Sequence, residues 1–324
     1  MPIELVKDKW TGAVQNVTLG ATAAEGGTRG RTVTVGGEKA LPFMHFEADM
    51  PNRPVVAIEI KDRRPEDWSP LLLKVWGDAA NDPASWARAA TAAGADLLVL
   101  ALTLTDAEGK PTTPAAAVAA VKAVLAASPL PLIVFGPGQA EADNTLLVAV
   151  AEATKGERLL LGICEDKNYR TIVATAMANG HLVSARTPMD VNLAKQLSIL
   201  ISDMGMPADR IIMDPTTGAV GYGIEYGYSV MERLRLAALQ GDRMTQHPML
   251  VTPGFEAWKT KESKVGVGVP ESWGDWEQRA INWETLTAVS LLESGADILV
   301  LRHPESVKHL HAAIEDLMRV TAVA

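Results

Sequence analysis

The sequence predicts an α/β protein, a (β/α)8 TIM barrel that carries an N-terminal β-hairpin extension. Three observations lead to this fold class. From residue 55 onward, eight short apolar runs alternate with longer helical segments. Roughly 270 residues contain them, which matches the size of this barrel. Residues 1–50 lie outside the alternation and read as a separate hairpin.

Eight segments are strand candidates because each is short, apolar and followed by a helix-like stretch. Several have no polar alternation, which is typical of strands covered on both faces and therefore predicts a parallel sheet. The candidates are residues 55–60, 96–102, 131–135, 159–163, 182–185, 211–213, 250–252 and 298–301.

The segments between these runs carry the start and stop signals of helices. Asp82 and Pro83 supply a capping residue and an early proline, and Gly94 follows the alanine-rich residues 84–93. Residues 94–100 (GADLLVL) and 295–301 (GADILVL) are nearly identical, and each passes from a helix end into a strand. This echo is typical of a fold built from repeated units.

A doubly wound open sheet is the alternative arrangement of alternating strands and helices. Such sheets usually carry a glycine fingerprint after the first strand. Here the first strand is followed by residues 61–65 (KDRRP), which contain no glycine. The barrel is therefore favoured.

The N-terminal β-hairpin extension is expected over residues 1–50, with the barrel over residues 51–324. Residues 14–19 and 31–35 read as strands separated by a glycine-containing stretch, residues 25–30. No long polar linker follows them, so we expect the hairpin to cap one end of the barrel.

The composition narrows the classes of partner. The 30 Lys plus Arg residues and 39 Asp plus Glu residues give a net charge of −9, which argues against nucleic acid and against anionic membrane as partners. No segment has ~18 consecutive apolar residues, and the first ten residues have no apolar stretch typical of a signal peptide. The expected location is cytoplasmic.

Metal and redox sites are limited by residue type. Cys164 is the single cysteine, so this chain can hold no cysteine-ligated iron–sulfur cluster, no four-cysteine zinc site and no internal disulfide. His309 and His311 lie two apart on a predicted helix and so face different directions. No metal site is predicted.

The connection after the sixth strand, residues 214–223 (DPTTGAVGYG), is the most unusual loop. Four of its ten residues are Gly or Pro and two are Thr. Functional groups of this barrel lie on loops that leave the C-terminal ends of the strands, and glycines let backbone N–H groups approach a flat or phosphorylated ligand. A tight turn in which Asp214 bonds backbone amides is the simpler interpretation. The sequence leaves both open.

Tryptophan is concentrated near the C-terminus. Trp276 and Trp283 are seven apart, so they share a helix face and are expected to bury it. Trp258 and Trp273 are expected in a long polar loop, where Trp is typical of partner surfaces.

Five segments together resemble a known family: residues 26–29 (GGTR), 32–37 (TVTVGG), 41–43 (LPF), 186–192 (RTPMDVN) and 214–223. The chain is similar, over essentially its whole length, to the small subunit of the corrinoid iron–sulfur protein. That family is also known as the delta subunit of the acetyl-CoA decarbonylase/synthase complex.

The resemblance implies a heterodimer with a larger subunit that carries an iron–sulfur cluster and a cobalamin domain. It implies that the pair carries a methyl group on cobalamin cobalt from methyltetrahydrofolate, or a related pterin, to acetyl-CoA synthase in the reductive acetyl-CoA (Wood–Ljungdahl) pathway of carbon fixation. Methyltetrahydrofolate methyltransferase and acetyl-CoA synthase would be transient partners. The cobalamin, or corrinoid, would be shared with the large subunit and lie at the C-terminal mouth of this barrel, whose role would be non-catalytic or co-catalytic.

Loop position then suggests which residues contact the corrinoid. Small residues permit close approach to a macrocycle, and amides and hydroxyls can bond its amide side chains. The candidates are Asp214, Thr216, Thr217, Gly218, Gly221, Tyr222 and Gly223, joined by Asn168, Tyr169 and Arg186 from neighbouring connections. No catalytic residue is predicted.

Two other functions remain open from the sequence. One is an autonomous barrel methyltransferase in which Asp214 and Asn168 bind a methylpterin. The other is a purely architectural subunit whose mouth only docks a neighbouring domain.

Overall fold

The computed structural model describes residues 6–319. The N-terminal extension forms an antiparallel pair of strands, β1 (Val17–Leu19) and β2 (Val33–Val35). The hydroxyls of Thr18 and Thr34 face each other across the pair at 2.9 Å. The hairpin predicted from the sequence is therefore present.

Eight parallel strands form the nearly closed barrel that the sequence predicts. Their order around the barrel follows the chain, with β3 beside both β4 and β10. The ring is completed between β8 and β9, where Met213 and Met249 form a parallel bridge and the Met213 N–H donates to Pro248 O at 2.9 Å. The strands are β3 (Val55–Lys61), β4 (Leu97–Ala101), β5 (Leu132–Phe135), β6 (Leu160–Cys164), β7 (Leu182–Arg186), β8 (Ile211–Asp214), β9 (Leu250–Val251) and β10 (Ile298–Leu301).

Helices between the strands pack on the outside of the barrel. The predicted punctuation is confirmed at α2, where Asp82 accepts a hydrogen bond from the Ser85 N–H and Pro83 is the first residue. The α-helices are α1 (Pro70–Trp76), α2 (Pro83–Ala92), α3 (Pro114–Ala127), α4 (Ala140–Ala153), α5 (Tyr169–Asn179), α6 (Val191–Asp203), α7 (Ile224–Leu239), α8 (Pro253–Ala257), α9 (Lys261–Lys264), α10 (Trp276–Glu293) and α11 (Pro304–Leu317).

The hairpin closes the N-terminal end of the barrel. Val17, Leu19 and Val35 are buried in one cluster with the barrel interior, including Val55 and Leu97 at the starts of their strands. Since these strand starts lie at one end of a parallel barrel, the hairpin leaves the C-terminal mouth open at the other end.

The repeated heptapeptides have the same structural role. Asp96 accepts a hydrogen bond from the Val56 N–H at 3.1 Å, and Asp297 accepts one from the Met249 N–H at 2.7 Å. Each aspartate therefore binds a backbone amide at the start of the neighbouring strand. The two similar heptapeptides therefore share this aspartate-to-amide hydrogen bond.

Two buried arginines attach the N-terminal extension to the barrel. Arg29 pairs with Glu157 at 3.1 Å and donates to the carbonyls of Leu125 and Ser128 at the end of α3. Cations are favoured at such a helix end because they satisfy its unpaired carbonyls.

The second of these arginines, Arg235, lies between two carboxylates. It is 2.8 Å from Asp297 and 3.4 Å from Glu38 of the extension. Burial, with Asp297 beside it, raises the pKa of Glu38 to about 8. The buried cluster therefore keeps a proton on one of its two carboxyls at neutral pH.

Candidate functional site

The C-terminal mouth contains a cavity of about 260 Å³, here called the mouth cavity. Phe135 at the end of β5 lies in its floor. Gly162 of β6 makes room for this ring, because a Cβ at that position would lie 2.8 Å from the Phe135 ring carbons. The guanidinium of Arg186 lies 5.6 Å from the centre of the same ring.

Arg186, which lines the mouth cavity, forms an ion pair with Asp214. Arg186 Nε donates to Asp214 Oδ2 at 2.6 Å, and Asp214 Oδ1 accepts from the Thr216 N–H at 3.1 Å. Both side chains come from strand ends, β7 and β8, which are neighbours in the barrel. Three of the predicted candidates are thus brought together.

A second ion pair lies on the other side of the mouth. Arg302, which follows β10, binds Glu59 of β3 through two hydrogen bonds of 2.8 and 2.9 Å, and Lys61 Nζ lies 3.9 Å from the same carboxylate. Burial disfavours the ionised carboxylate, but Arg302 and Lys61 together hold the pKa of Glu59 below its ordinary value. Arg302 also lies over the rings of Trp68 and Phe255.

Glu284 of α10 fixes the backbone that carries Arg302. Its carboxylate accepts from the N–H groups of Arg302 at 2.6 Å and His303 at 3.2 Å. Gly254 leaves space for this carboxylate, since a Cβ there would lie 2.8 Å from Glu284 Oε1. Complete burial raises the pKa of Glu284 despite these bonds.

The connections after β5 and β6 contribute two more carboxyls. Asp143 of α4 accepts from the Gly138 N–H at 3.0 Å and is almost fully buried. Burial, reinforced by the charge of Glu165, raises the pKa of Asp143 to about 6. Glu165 itself lines the mouth cavity opposite Lys61. Lys61 and Arg186 line the same cavity, so it contains charges of both signs.

The β8–α7 loop, residues 215–223, is a compact turn above this floor. Gly218 is required by packing, because a Cβ would lie 2.5 Å from Tyr222 O. Gly221 and Gly223 have φ angles of 75° and 92°, which favour glycine. Tyr222 is 49% exposed, and its hydroxyl accepts from the Lys261 N–H at 3.2 Å. Its position makes the tip of this loop a surface at the mouth.

Thr216 and Thr217 have different environments within the loop. Thr216 has a φ angle of 51° and lines a second cavity of about 580 Å³ beside the mouth, together with Arg186 and Glu165. Thr217 is 3% exposed, and its buried hydroxyl has no hydrogen-bond partner among residues 6–319. Of the two threonines, Thr216 lines this cavity and Thr217 is enclosed by the protein.

Asn168 and Tyr169 are occupied by the protein itself. Asn168 Oδ1 accepts from the Glu165 N–H at 2.7 Å, and its Nδ2 donates to Ile163 O at 2.9 Å. Tyr169 begins α5 and is buried in the layer between helices and strands. Asn168 therefore closes the β6–α5 connection and Tyr169 packs the core, so neither side chain faces the mouth in this arrangement.

The sequence-based interpretation of Trp258 is wrong. Short helices α8 and α9 replace part of the expected loop, and Trp258 is 3% exposed, with its ring stacked 6.0 Å from that of His303. It is a core residue rather than a partner surface. Trp273 remains half-buried, beneath the Arg279 guanidinium at 5.2 Å.

Several mouth residues were missed from the sequence. Glu59 gave a signal, since it is a charged residue within a buried apolar strand, and Arg302 directly follows a predicted strand. Nothing in the sequence indicated that Glu59 and Arg302 pair, because they are 243 positions apart. Cys164 ends β6 fully buried, and burial raises the pKa of its thiol.

Residues 6–319 contain neither a membrane-spanning helix nor a cluster of metal-binding side chains. No helix there is long and apolar enough to cross a membrane. No group of three or more His, Cys, Asp or Glu side chains there is arranged to hold a metal ion.

The chain also matches a known protein family. The family model of the CO dehydrogenase/acetyl-CoA synthase delta subunit matches residues 16–315. The chain belongs to this delta-subunit family.

Curated members of the delta-subunit family are similar along nearly the whole chain. The acetyl-CoA decarbonylase/synthase complex subunit delta of Archaeoglobus fulgidus is 37% identical, covering 98% of this chain and 73% of that protein. Subunit delta 1 of the same complex from Methanosarcina thermophila is 39% identical, covering 95% of this chain and 72% of that protein.

Solved structures support the barrel fold of the delta-subunit family. Dihydropteroate synthase from Xanthomonas albilineans with 4-aminobenzoic acid superposes with a TM-score of 0.56 at 15% identity, covering 94% of this chain and 100% of that chain. The Thermus thermophilus enzyme in complex with 6HMPPP gives 0.55 at 16% identity with the same coverage. At this level of identity the likeness concerns the fold alone.

Proposed function

We propose that this protein is the barrel subunit of a heterodimeric corrinoid iron–sulfur protein. In this proposal a larger subunit holds the iron–sulfur cluster and the cobalamin domain, and the C-terminal mouth of this chain covers one face of the corrinoid. The pair carries a methyl group between a methylpterin and acetyl-CoA synthase in the cytoplasm, in transient contact with a methyltetrahydrofolate methyltransferase. The observation that most directly supports this proposal is the exposed Gly–Tyr–Gly tip of the β8–α7 loop at the mouth of a delta-subunit barrel.

The size of the mouth suits covering a macrocycle rather than enclosing it. Drug-sized ligands fill pockets of roughly 300–1,000 Å³, and the mouth cavity of about 260 Å³ is too small for a whole corrin. Its lining contains no histidine or cysteine, so the cavity offers neither an imidazole nor a thiolate as an axial ligand. These properties fit a subunit that lies over the corrinoid while its partner holds it.

The rim of the mouth supports docking of a partner. Five large apolar side chains are exposed on four connections that leave the C-terminal ends of strands. They are Leu104, Met189, Tyr222, Phe255 and Val267. Exposed apolar groups gathered around a concave site are typical of an interaction surface.

The residues of this chain have separable tasks in the proposal. Gly221 and Gly223 remove side chains that would hold a macrocycle away, and Thr216 offers a hydroxyl. Arg186, held by Asp214, presents its remaining guanidinium N–H groups to amide oxygens. When bound, a corrinoid supplies the cobalt that accepts and releases the methyl group, and the rim keeps water from that face.

The arrangement favours the carrier over the autonomous methyltransferase. Recognition of a pterin ring needs hydrogen-bonding groups that are free to bind it. Asp214 is already bound by Arg186, and Asn168 by the backbone of its own connection. The two side chains on which that alternative depends are therefore occupied.

Co-purification from the native host tests the proposal. We expect a tagged chain to bring down one larger subunit, with cobalt, iron and the visible absorbance of both a corrinoid and an iron–sulfur cluster. Isolation as a colourless homo-oligomer that transfers methyl groups unaided would contradict it.

A rim substitution tests the docking surface in the same experiment. Phe255→Lys places a charge on the rim, and Met177→Lys does the same on α5 at a similar exposure of 38% against 39%. We expect Phe255→Lys alone to reduce the yield of the larger subunit. Equal yields from both variants would remove Phe255 from the interface.

A further inference from the structure

Helix α10 holds the tip of the β8–α7 loop through both backbone groups of one residue. Trp283 Nε1 donates to Val220 O at 3.1 Å, and the Val220 N–H donates to Thr287 Oγ1 at 3.3 Å. Trp283 and Thr287 are four residues apart, so they lie one above the other on the same face of the helix. We call this pair the α10 clamp.

A third hydrogen bond determines which atom donates and which accepts in the contact between Thr287 and Val220. Thr287 is completely buried, and its hydroxyl donates to Trp283 O at 2.8 Å. Because the hydroxyl proton is committed there, the oxygen is left to accept from Val220. Each partner therefore makes the one bond that its chemistry allows.

The loop needs such an external restraint. Val220 is followed directly by Gly221, and Gly223 ends the loop, both with positive φ angles. Glycine loses more backbone entropy on ordering than other residues. Within the tip, the Tyr222 N–H donates to Ala219 O at 2.8 Å, but this bond spans only the turn itself. The α10 clamp joins the backbone of the turn to the barrel, and the bond from the Lys261 N–H to the Tyr222 hydroxyl attaches its side chain.

We propose that Trp283 and Thr287 are positioning residues that hold the β8–α7 loop ready to cover a bound corrinoid. A loop that is ordered before binding saves the cost of ordering it at that moment. This inference rests on the proposed function, because it gives the held loop its ligand. Trp283 is therefore more than the helix-burying residue that its spacing from Trp276 suggests.

Amide hydrogen exchange of the full chain tests the clamp without a ligand. Thr287→Val removes the hydroxyl at constant shape, and Trp283→Phe removes the indole N–H. Since each hydrogen bond contributes about 1 kcal/mol, we expect the amides of residues 219–223 to exchange about fivefold faster in either variant. Thr287→Ser keeps the hydroxyl and should restore the wild-type rate.

Two control variants lie on the same helix. Thr285→Val removes a buried hydroxyl that has no hydrogen-bond partner within the described part of the chain. Trp276→Phe removes an indole N–H that donates to Ser263 O rather than to the loop. Neither should change exchange at residues 219–223. Unchanged exchange in Thr287→Val and Trp283→Phe would overturn the clamp.

The rate at which the co-purified complex loses its corrinoid distinguishes a positioning role from a purely structural one. We expect the corrinoid to dissociate about fivefold faster from the Thr287→Val complex than from the wild-type complex, and Thr287→Ser to restore retention. Faster exchange with unchanged dissociation would overturn the positioning role while leaving the proposed function intact. A wild-type complex without corrinoid would overturn both.

Discussion

Arg186 Nε lies 2.6 Å from Asp214 Oδ2, and the two residues end neighbouring strands of the barrel. Asp214 is 2% exposed, whereas the side chain of Arg186 retains 22% of its exposure. The pair therefore joins a buried charge to one that reaches the mouth. Removing Arg186 would leave Asp214 buried and without its counter-ion.

A double-mutant cycle should measure this pairing. We expect Arg186→Gln and Asp214→Asn to couple by about 2 kcal/mol in the free energy of unfolding, because the two groups share one hydrogen-bonded site. Urea unfolding of the four proteins provides the measurement. The exposed pair Lys110 and Glu108, at 2.6 Å, should show no measurable coupling. Strict additivity at Arg186 and Asp214 would refute the prediction.

The buried Glu38 should make stability depend on pH. Its folded pKa of about 8 lies above its unfolded value, so the folded state binds the extra proton. The contribution of Glu38 is therefore fully present below about pH 4.5 and is lost as pH rises towards 8. Relative to Glu38→Gln, wild type should lose on the order of a few kcal/mol over this window.

Urea unfolding at pH 5, 6.5 and 8 gives that comparison. Glu108→Gln, at an exposed position, serves as the control. Its free energy of unfolding should change with pH in the same way as that of wild type. If the free energy of unfolding of Glu38→Gln changed with pH in the same way as that of wild type, Glu38 would not be protonated beside Arg235 and Asp297.

Gly221→Val should weaken corrinoid retention by the complex more than it affects folding. The φ angle of 75° imposes a backbone penalty of roughly 1–2 kcal/mol on any β-branched residue. The added Cβ would lie 3.9 Å from Cζ2 of Trp283, on the loop that we propose covers the corrinoid. Gly180→Val is a matched control at the far end of α5, with a φ angle of 80° and no described residue within 4 Å of its added Cβ. Equal corrinoid loss in both variants would place the contact elsewhere.

Trp258→Ala should lower the free energy of unfolding by about 3–5 kcal/mol, as expected for a large side chain removed from a core. Subunit affinity measured on the folded fraction should stay unchanged, because the ring is buried. Trp273→Ala removes a half-buried ring and should cost less. A weakened complex at full stability would reinstate Trp258 as an interface residue.

The extent to which sequence predicted structure depended on whether the signal was local. The eight strands were found because each is a buried apolar run, and the end of α2 because Gly94 supplies its left-handed residue. Burial of Trp258 was missed because α8 and α9 are short helices, of five and four residues. Periodicity cannot reveal elements of that length.

The candidate site shows the same limit. Glycine and threonine content identified the β8–α7 loop, but nothing local separates the buried Thr217 from Thr216, which lines a cavity. The clamp on Val220 comes from Thr287, 67 positions away. Such contacts follow from the packing of α10 against the barrel, which a single sequence does not encode in any short pattern.

The seam between β8 and β9 gives the barrel a mechanical asymmetry. Strand β9 has two residues, and β8 meets it through the bridge between Met213 and Met249, so the ring has a joint directly beneath the β8–α7 loop. A protein that docks on that loop would therefore press beside the least paired part of the ring. The load would be shared with the 18-residue helix α10 through Val220 and with Lys261 through the Tyr222 hydroxyl.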